Sequence, residues 1–337
     1  MEQKKEKKHT EVKMKKRTIF LALIDLCIIC FICIVYLSPK FKNWWITTAS
    51  STGNHKWFAD ILYNDNEIIK VLKNNKVIEI DEEVNLDDIT FETEEKETYD
   101  SIYDEQILKR NKDDLYKLIT IKEKDYSGYL VVVYNPSRIS LATASHYGSS
   151  LKILAKENNA VVAINASGFN ISQGYANGVV IKDGKLVSNY GYNRHGGGII
   201  GFTNNNVLML TNSNSSEAIK KGIKDAVEFG PFLIINGKPA TIKGNGGLGT
   251  ANRTAIAQRK DGIVLFLVID GRGANNSDGI DMNGLIEILT RYKAYNAANL
   301  DGGGSSTLVI NNELINNPRG YYGDNWERPL PNAWIVK

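Results

Sequence analysis

GIVLFLVIDGRG, residues 262–273, carries seven consecutive apolar side chains and then stops on Asp270, Gly271 and Arg272. A run of this length, bounded by glycine and rich in Val, Ile and Phe, reads as a strand. Its exit is polar, with Asp270 at the mouth, Arg272 two residues on and Ser277 in the following loop. Polar residues where a buried strand ends are where sites form. Runs of the same texture lie on either side: GYLVVVYNP (128–136), AVVAIN (160–165), GVVIKDGKLV (178–187), GGIIGF (197–202) and PFLIINGK (231–238). Within them KDGK and INGK read as hairpin turns, in which Asp-Gly or Asn-Gly accepts positive φ. Helical spacing occurs in SSLKILAKEN (149–158) and in MNGLIEILTRYKAY (282–295), where Leu285, Ile288, Leu289 and Tyr292 share a stripe. Short strands, several hairpins and few helices predict an α+β fold over residues 115–337: a strand-rich mixed-sheet domain with a few packed helices.

Ahead of this region the chain changes character twice. Its 337 residues, 42% hydrophobic and 23% charged, exclude collagen, global disorder and a disulfide-stapled miniprotein. The net charge of +3 argues against a nucleic-acid partner but conceals three zones. Residues 1–17 carry eight Lys/Arg against three Glu, residues 57–116 carry eighteen acids against seven bases, and residues 117–337 carry twenty-three bases against sixteen acids. Between the first two zones lies IFLALIDLCIICFICIVYL (19–37), nineteen residues with Asp25 as the single charge. That length suits one helix across a bilayer core, so a single N-terminal transmembrane helix is expected over 18–38. No small-x-small cleavage site follows closely, which favours a retained signal-anchor over a cleaved leader. The basic cluster places residues 1–17 in the cytoplasm and the C-terminal domain outside the membrane of a bacterial cell, with Trp44 and Trp45 in the outer aromatic belt.

Cys27, Cys30 and Cys33 all fall inside the apolar run, where burial in lipid accounts for them better than a metal. The exported part then has no cysteine and no disulfide. Residues 39–114 are expected to form a spacer: a flexible polar stretch at 46–56, then a solvated acidic stalk around DEEVNLDDITFETEEKETYD (81–100), with a short strand pair and a helix at 101–118. The acids lack EF-hand spacing, and the four histidines form no ligand pattern, so no metal or other cofactor is expected.

The strongest local motif is Asn299-Leu300-Asp301-Gly302-Gly303-Gly304-Ser305-Ser306-Thr307, followed by the strand Leu308-Val309-Ile310. Three glycines permit backbone N–H groups to converge on an anion, while the acid before them and the hydroxyls after them supply proton transfer and hydrogen bonding. The lysine and spacing of a P-loop are absent. Arg253, in Asn252-Arg253-Thr254-Ala255, is suited to holding two phosphate oxygens or to pairing with a structural carboxylate. Further polar candidates are Asn165 and Ser167 in INASGFN, Glu287 on the second helix, Arg328, His146 and His195.

Taken in order, AINASGFN, FGPFLIINGK, NRTAIA, VIDGR with a following Ser, a helix with Glu, NLDGGGSST and ERPLPNA resemble the phosphodiester glycosidase family, over about residues 115–337. Many bacterial members are envelope proteins labelled as exopolysaccharide biosynthesis proteins. The resemblance implies hydrolysis of a sugar-1-phosphodiester at the C1–O bond, releasing free sugar and a phosphomonoester. It points to Asp301 and Asp270, and to Asn165, Gly168, Phe169, Arg253, Arg272, Gly302, Gly303, Gly304 and Ser305, as the pocket; the reading of the residues themselves adds Glu287 to the catalytic acids and Ser167 and Ser306 to the substrate-binding residues. Asp301 is then the principal carboxylate, Asp270 its partner, and Arg253 with the glycine amides the phosphate clamp. Family members usually carry Gly-Gly-Phe-Phe after the asparagine; here Ala166-Ser167-Gly168-Phe169 is followed by Asn170, which alters the sugar subsite. The implied substrate is a teichoic acid or another phosphate-linked envelope glycan, and the oligomeric state is open. Two other classes compete: a non-catalytic exopolysaccharide-binding or assembly protein of the same fold, and a metal-dependent phosphodiesterase that cuts the P–O bond.

Overall fold

The computed structural model describes residues 2–50, 57–91, 98–145, 147–191, 196–319, 323 and 325–337. The chain divides into two units, Met1–Lys76 and Val77–Lys337.

The first unit is helical. A helix over Glu2–Leu37 contains the stretch Lys16–Leu37, which is long and apolar enough to cross a bilayer. Three shorter helices follow, Pro39–Ser50, Trp57–Leu62 and Asp65–Asn74, the last closed by a capping box between Asn64 and Glu67. The flexible spacer expected at 46–56 is thus helical through Ser50, because Ile46, Thr47 and Ala49 are buried against Val35, Ala59, Ile68 and Val71; residues 51–56 lie outside the described residues.

Three large antiparallel sheets, one of seven strands and two of five, dominate the second unit. In the largest, seven strands run in the order Lys238–Pro239, Phe232–Ile235, Ala294–Leu300, Arg253–Arg259, Val264–Ile269, Ser127–Val133 and Tyr116–Lys122. A five-stranded sheet has the order Lys185–Tyr190, Gly178–Lys182, Ile223–Phe229, Gly198–Thr203 and Leu208–Thr211. The other has Glu313–Leu314, Leu308–Ile310, Val162–Asn165, Asn332–Val336 and Ile139–Thr143, so the last strand of the sequence sits between two much earlier ones.

Why Val264–Ile269 is apolar at every position is now plain. Val264, Phe266 and Val268 enter a core shared by the three sheets, with Ile164, Trp334, Ile200 and Val227. Leu265, Leu267 and Ile269 enter a second core on the opposite face, with Leu285, Ile288 and Leu289 of the helix Met282–Arg291. Side chains alternate faces along a strand, so one covered on both faces shows no polar alternation. The helix Leu151–Glu157 covers the outer face of the second five-stranded sheet through Leu151, Leu154 and Ala155.

The acidic segment departs from the solvated stalk expected of it. Where described, it packs on the sheets: the Phe232 amide donates to Glu79 at 2.6 Å, Ile107 of the helix Ile102–Leu108 is buried in the second core, and Asp104 pairs with buried Arg259 at 3.1 Å. Among the described acids between them, Glu82 and Glu83 pair with Lys238 and Lys221 at the surface and Asp88 accepts from Tyr295.

Candidate functional site

Antiparallel pairing brings the chemistry to one edge of the seven-stranded sheet. Thr254 is paired with Leu300, and Arg253 with Ile269. The end of Ala294–Leu300, the start of Arg253–Arg259 and the end of Val264–Ile269 therefore coincide, collecting Asp301, Asn252, Arg253, Asp270 and Arg272.

The second five-stranded sheet is tied to this edge through Asn165, fully buried at the end of its strand. Asn165 Nδ2 donates to the Asp301 carbonyl at 2.6 Å, and its Oδ1 accepts from Thr254 Oγ1 at 2.7 Å and from the Thr307 amide at 3.1 Å. The Asp301 amide donates to the Ala166 carbonyl at 3.1 Å. Next to it, the Ser167 amide and hydroxyl donate to Asn332 Oδ1 at 2.9 and 3.0 Å. Gly168 lies against the Phe229 ring, and Phe169 is half-buried on the Ala163 and Val309 side of the sheet.

Asp301 is half-buried. Burial pushes its carboxyl up to about 6, against the opposing pull of the Ser305 hydroxyl, the Arg328 charge, the Gly302 amide and the Arg253 charge. Asp270 is fully buried, and its oxygens are taken: Oδ2 accepts from Asn275 Nδ2 at 2.7 Å, and Oδ1 accepts from Asn316 Nδ2 at 3.0 Å and from the Asn317 amide at 3.1 Å. Burial raises its carboxyl too, with those three donors opposing. Asn316 also donates to the Ser306 carbonyl, so Asp270 anchors the loops around the site from below. Glu287 is not brought there: it pairs with Arg291 at 2.5 Å on the outer face of its helix, with 63% of its side chain exposed.

The glycine turn differs from an open nest of amides. The Gly303 amide donates to the Asn252 carbonyl at 2.9 Å, and the Gly302 amide serves the Asp301 carboxylate. What the glycines provide is closeness: a Cβ on Gly302 would stand 2.8 Å from the Asn252 carbonyl oxygen, and Gly303 has φ of +59°. Two guanidiniums use that space. Arg272 Nη2 lies 3.4 Å from where a Cβ on Gly303 would be, and Arg328 Nη2 lies 3.0 Å from the equivalent point on Gly304. Arg272, itself at positive φ, is tied to Arg319 in both directions: its Nη1 donates to the Arg319 carbonyl at 2.8 Å, and Arg319 Nη1 donates to the Arg272 carbonyl at 2.6 Å. Arg328 Nη1 donates to Ser305 Oγ at 3.4 Å. Burial, and then the nearby Arg328 charge, lower the Arg272 guanidinium from its ordinary value.

Arg253 stands further back. Its Nη2 donates to the Leu248 and Gly249 carbonyls at 2.5 and 2.8 Å and its Nε to the Ile280 carbonyl at 3.4 Å. Burial pushes its guanidinium down to about 10, offset by Asp281 and Asp301. The structure thus gathers Asn165, Ser167, Gly168, Arg253, Asp270, Arg272, Asp301, the three glycines and buried Ser305 and Ser306, and it promotes Arg328 from a minor candidate to a central one. His146 and His195 lie outside the described residues. Asn332 and Asn316 escaped sequence reasoning, although Asn332 opens an apolar strand just as Asn165 closes one.

The arrangement is a carboxylate beside two converging guanidiniums, suited to an anion attached to a carbon that develops positive charge. The phosphodiester glycosidase family model matches residues 158–337. A prophage-derived protein of Bacillus subtilis, YomE, is 33% identical over 188 residues, 52% of this chain and 29% of that protein. The N-acetylglucosamine-1-phosphodiester alpha-N-acetylglucosaminidase of Bos taurus is 27% identical over 210 residues, 57% of this chain and 39% of the bovine one. The chain therefore spans less than half the length of these curated relatives. The catalytic domain of the zebrafish enzyme of that name, solved as a form auto-inhibited by its pro-peptide, superposes with a TM-score of 0.54 at 22% identity, covering 66% of this chain and 81% of that one, a likeness of fold.

Proposed function

Because the chain belongs to the phosphodiester glycosidase family, we propose that it is a hydrolase that cleaves the C1–O bond of sugar-1-phosphodiesters at the Asp301 edge of the large sheet. The observation that carries this reading is the pair of guanidiniums, Arg272 and Arg328, packed against Gly303 and Gly304 beside a carboxylate raised to about 6. Those cations hold the phosphate, and Asp301 faces the sugar carbon. Water oxygen bonds to C1, the C1–O bond breaks with its electron pair passing to the phosphate oxygen, and the proton lost by water goes to the Asp301 carboxylate. Ionised Asp301 stabilises the oxocarbenium-like carbon, and the guanidiniums stabilise charge on the departing phosphate. Phosphate is already a good leaving group, so the chemistry has no need of a second acid at the carbon. That suits Asp270, whose oxygens are engaged below the site, as a positioning residue.

The names of the mammalian relatives make N-acetylglucosamine the first sugar to test. The helix Lys16–Leu37, with its excess of basic residues on the N-terminal side, supports an anchored protein whose second unit faces outward from a bacterial membrane, acting on teichoic acid or another phosphate-linked glycan. The test is to incubate the full chain in detergent with a methyl phosphodiester of N-acetylglucosamine in ¹⁸O-water, beside Asp301→Asn. Label in the sugar hydroxyl, with turnover falling by at least about 10³-fold in the variant, is the expected result. Label in the phosphate would mean P–O cleavage. Full turnover in folded Asp301→Asn would remove Asp301 from the mechanism.

A further inference from the structure

The first unit is more than a tether. At the end of its long helix, Tyr63 Oη donates to the Val35 carbonyl at 2.8 Å. Trp45 Nε1 donates to the Phe58 carbonyl at 2.8 Å, and Lys42 pairs with Glu67 at 2.5 Å while its ammonium lies 5.0 Å from the centroid of the Tyr63 ring. Together with the buried side chains of Val35, Ile46, Ala59, Tyr63, Ile68 and Val71, these bonds fix Pro39–Ser50, Trp57–Leu62 and Asp65–Asn74 onto the last turns of the apolar helix. A spacer that only had to reach would not need them.

The outside of this small bundle carries an unbroken group of rings. Phe41 is 5.8 Å from Trp44 and 5.7 Å from Trp45, Trp44 is 6.1 Å from Trp45, Trp45 is 6.4 Å from Phe58, and Phe58 stacks on Trp57 at 3.8 Å, all between centroids. Trp44 is 55% exposed and Trp57 54% exposed. The group begins four residues after Leu37, the end of a helix whose apolar side chains are themselves exposed. The two exposed apolar surfaces are thus adjacent in the chain, and indole rings favour the level at which hydrocarbon meets headgroups.

We propose that Phe41, Trp44, Trp45, Trp57 and Phe58 form a lipid-binding collar that lies in the outer interfacial layer of the bilayer, seating the helices of the first unit on the membrane surface. The inference rests on the reading that Lys16–Leu37 crosses the bilayer. Its test uses the full chain reconstituted into phosphatidylcholine and phosphatidylglycerol vesicles whose acyl chains are brominated either near the headgroup or near the methyl end. Bromine quenches tryptophan at short range, so the expected result is steeper quenching by the shallow bromines. That quenching falls by more than half in W44F/W45F/W57F and falls in part in W44F and in W57F, while every variant stays with the vesicles through an alkaline carbonate wash. Trp326 and Trp334 are common to all of these chains and cancel in the comparison. Equal quenching of parent and triple variant in carbonate-resistant vesicles overturns the collar and leaves the spanning helix standing. Blue-shifted emission that neither lipid quenches would mean that a second copy covers the rings, which also overturns it. Release of the parent chain by carbonate overturns the spanning helix and the collar together.

Discussion

Asp301 and Asp270 look alike in the sequence: each closes an apolar run and each precedes a glycine, in NLDG (299–302) and VIDG (268–271). Locally, the further glycines and serines after Gly302 separate them. In the fold they are separated by the set of donors that Asn275, Asn316 and Asn317 aim at Asp270, two of which arrive from more than forty residues away. For Asp301 the folded value of about 6 stands above its ordinary 3.8. Its contribution to stability is therefore fully present below about pH 4 and is lost as pH rises through about 6, where the buried carboxylate must carry charge. Catalysis by the ionised form runs the other way, so kcat/KM should rise with pH along a limb near 6. Since the Arg328 charge lowers the Asp301 value, Arg328→Gln should move that limb to higher pH as well as weaken phosphate binding. A limb that stays in place would separate Arg328 from Asp301. For Asp270→Ala, three donors lose their acceptor. We expect a loss of about 3 kcal/mol and a Tm lower by roughly 6–12 °C, read by thermal unfolding.

The sheet strands were largely legible because burial on both faces leaves an apolar run that few other structures require; Val264–Ile269 and Ser127–Val133 are of this kind. The helix Met282–Arg291 was legible from its stripe, while Glu287, expected among the catalytic acids, lies on its outer face paired with Arg291. Ahead of the sheets, the helix Ile102–Leu108 was legible inside the expected 101–118, but the packing of this acidic segment was not. It rests on isolated side chains, Glu79, Asp104 and Ile107, with no period to betray them. The glycine turn was legible as a close approach but not in its purpose, since which amides are spent inside the turn depends on Asn252 across the sheet. The boundary can be checked with two fragments. One spanning Val77–Lys337 should unfold cooperatively. One beginning at residue 115 removes Asp104 from buried Arg259, which keeps Asp261 at 2.7 Å, and uncovers the core around Ile107, and should be less stable by more than about 2 kcal/mol or insoluble. Equal stability of the two would restore the stalk reading.

Across the whole chain, composition told the three electrostatic zones and the apolar helix, because these depend on counts along the sequence rather than on meetings across it. How the sheets close could not be told in that way. Asn332–Val336 pairs on one side with Ile139–Thr143 and on the other with Val162–Asn165, so a strand made long after both of its neighbours fills the middle of its sheet. Its Trp334 is the largest fully buried side chain in the protein's described residues. Deleting residues 332–337 should therefore abolish cooperative unfolding and turnover together, instead of fraying one edge, and a truncated chain with a native melting curve would show otherwise. The arrangement also sets a clock on biosynthesis. Until Val336 has left the ribosome, two strands already made must wait with a gap between them, and the second unit stays an unfinished polymer. The sheet can close only once those residues arrive, and the interval before that is the period when proteases have their best access.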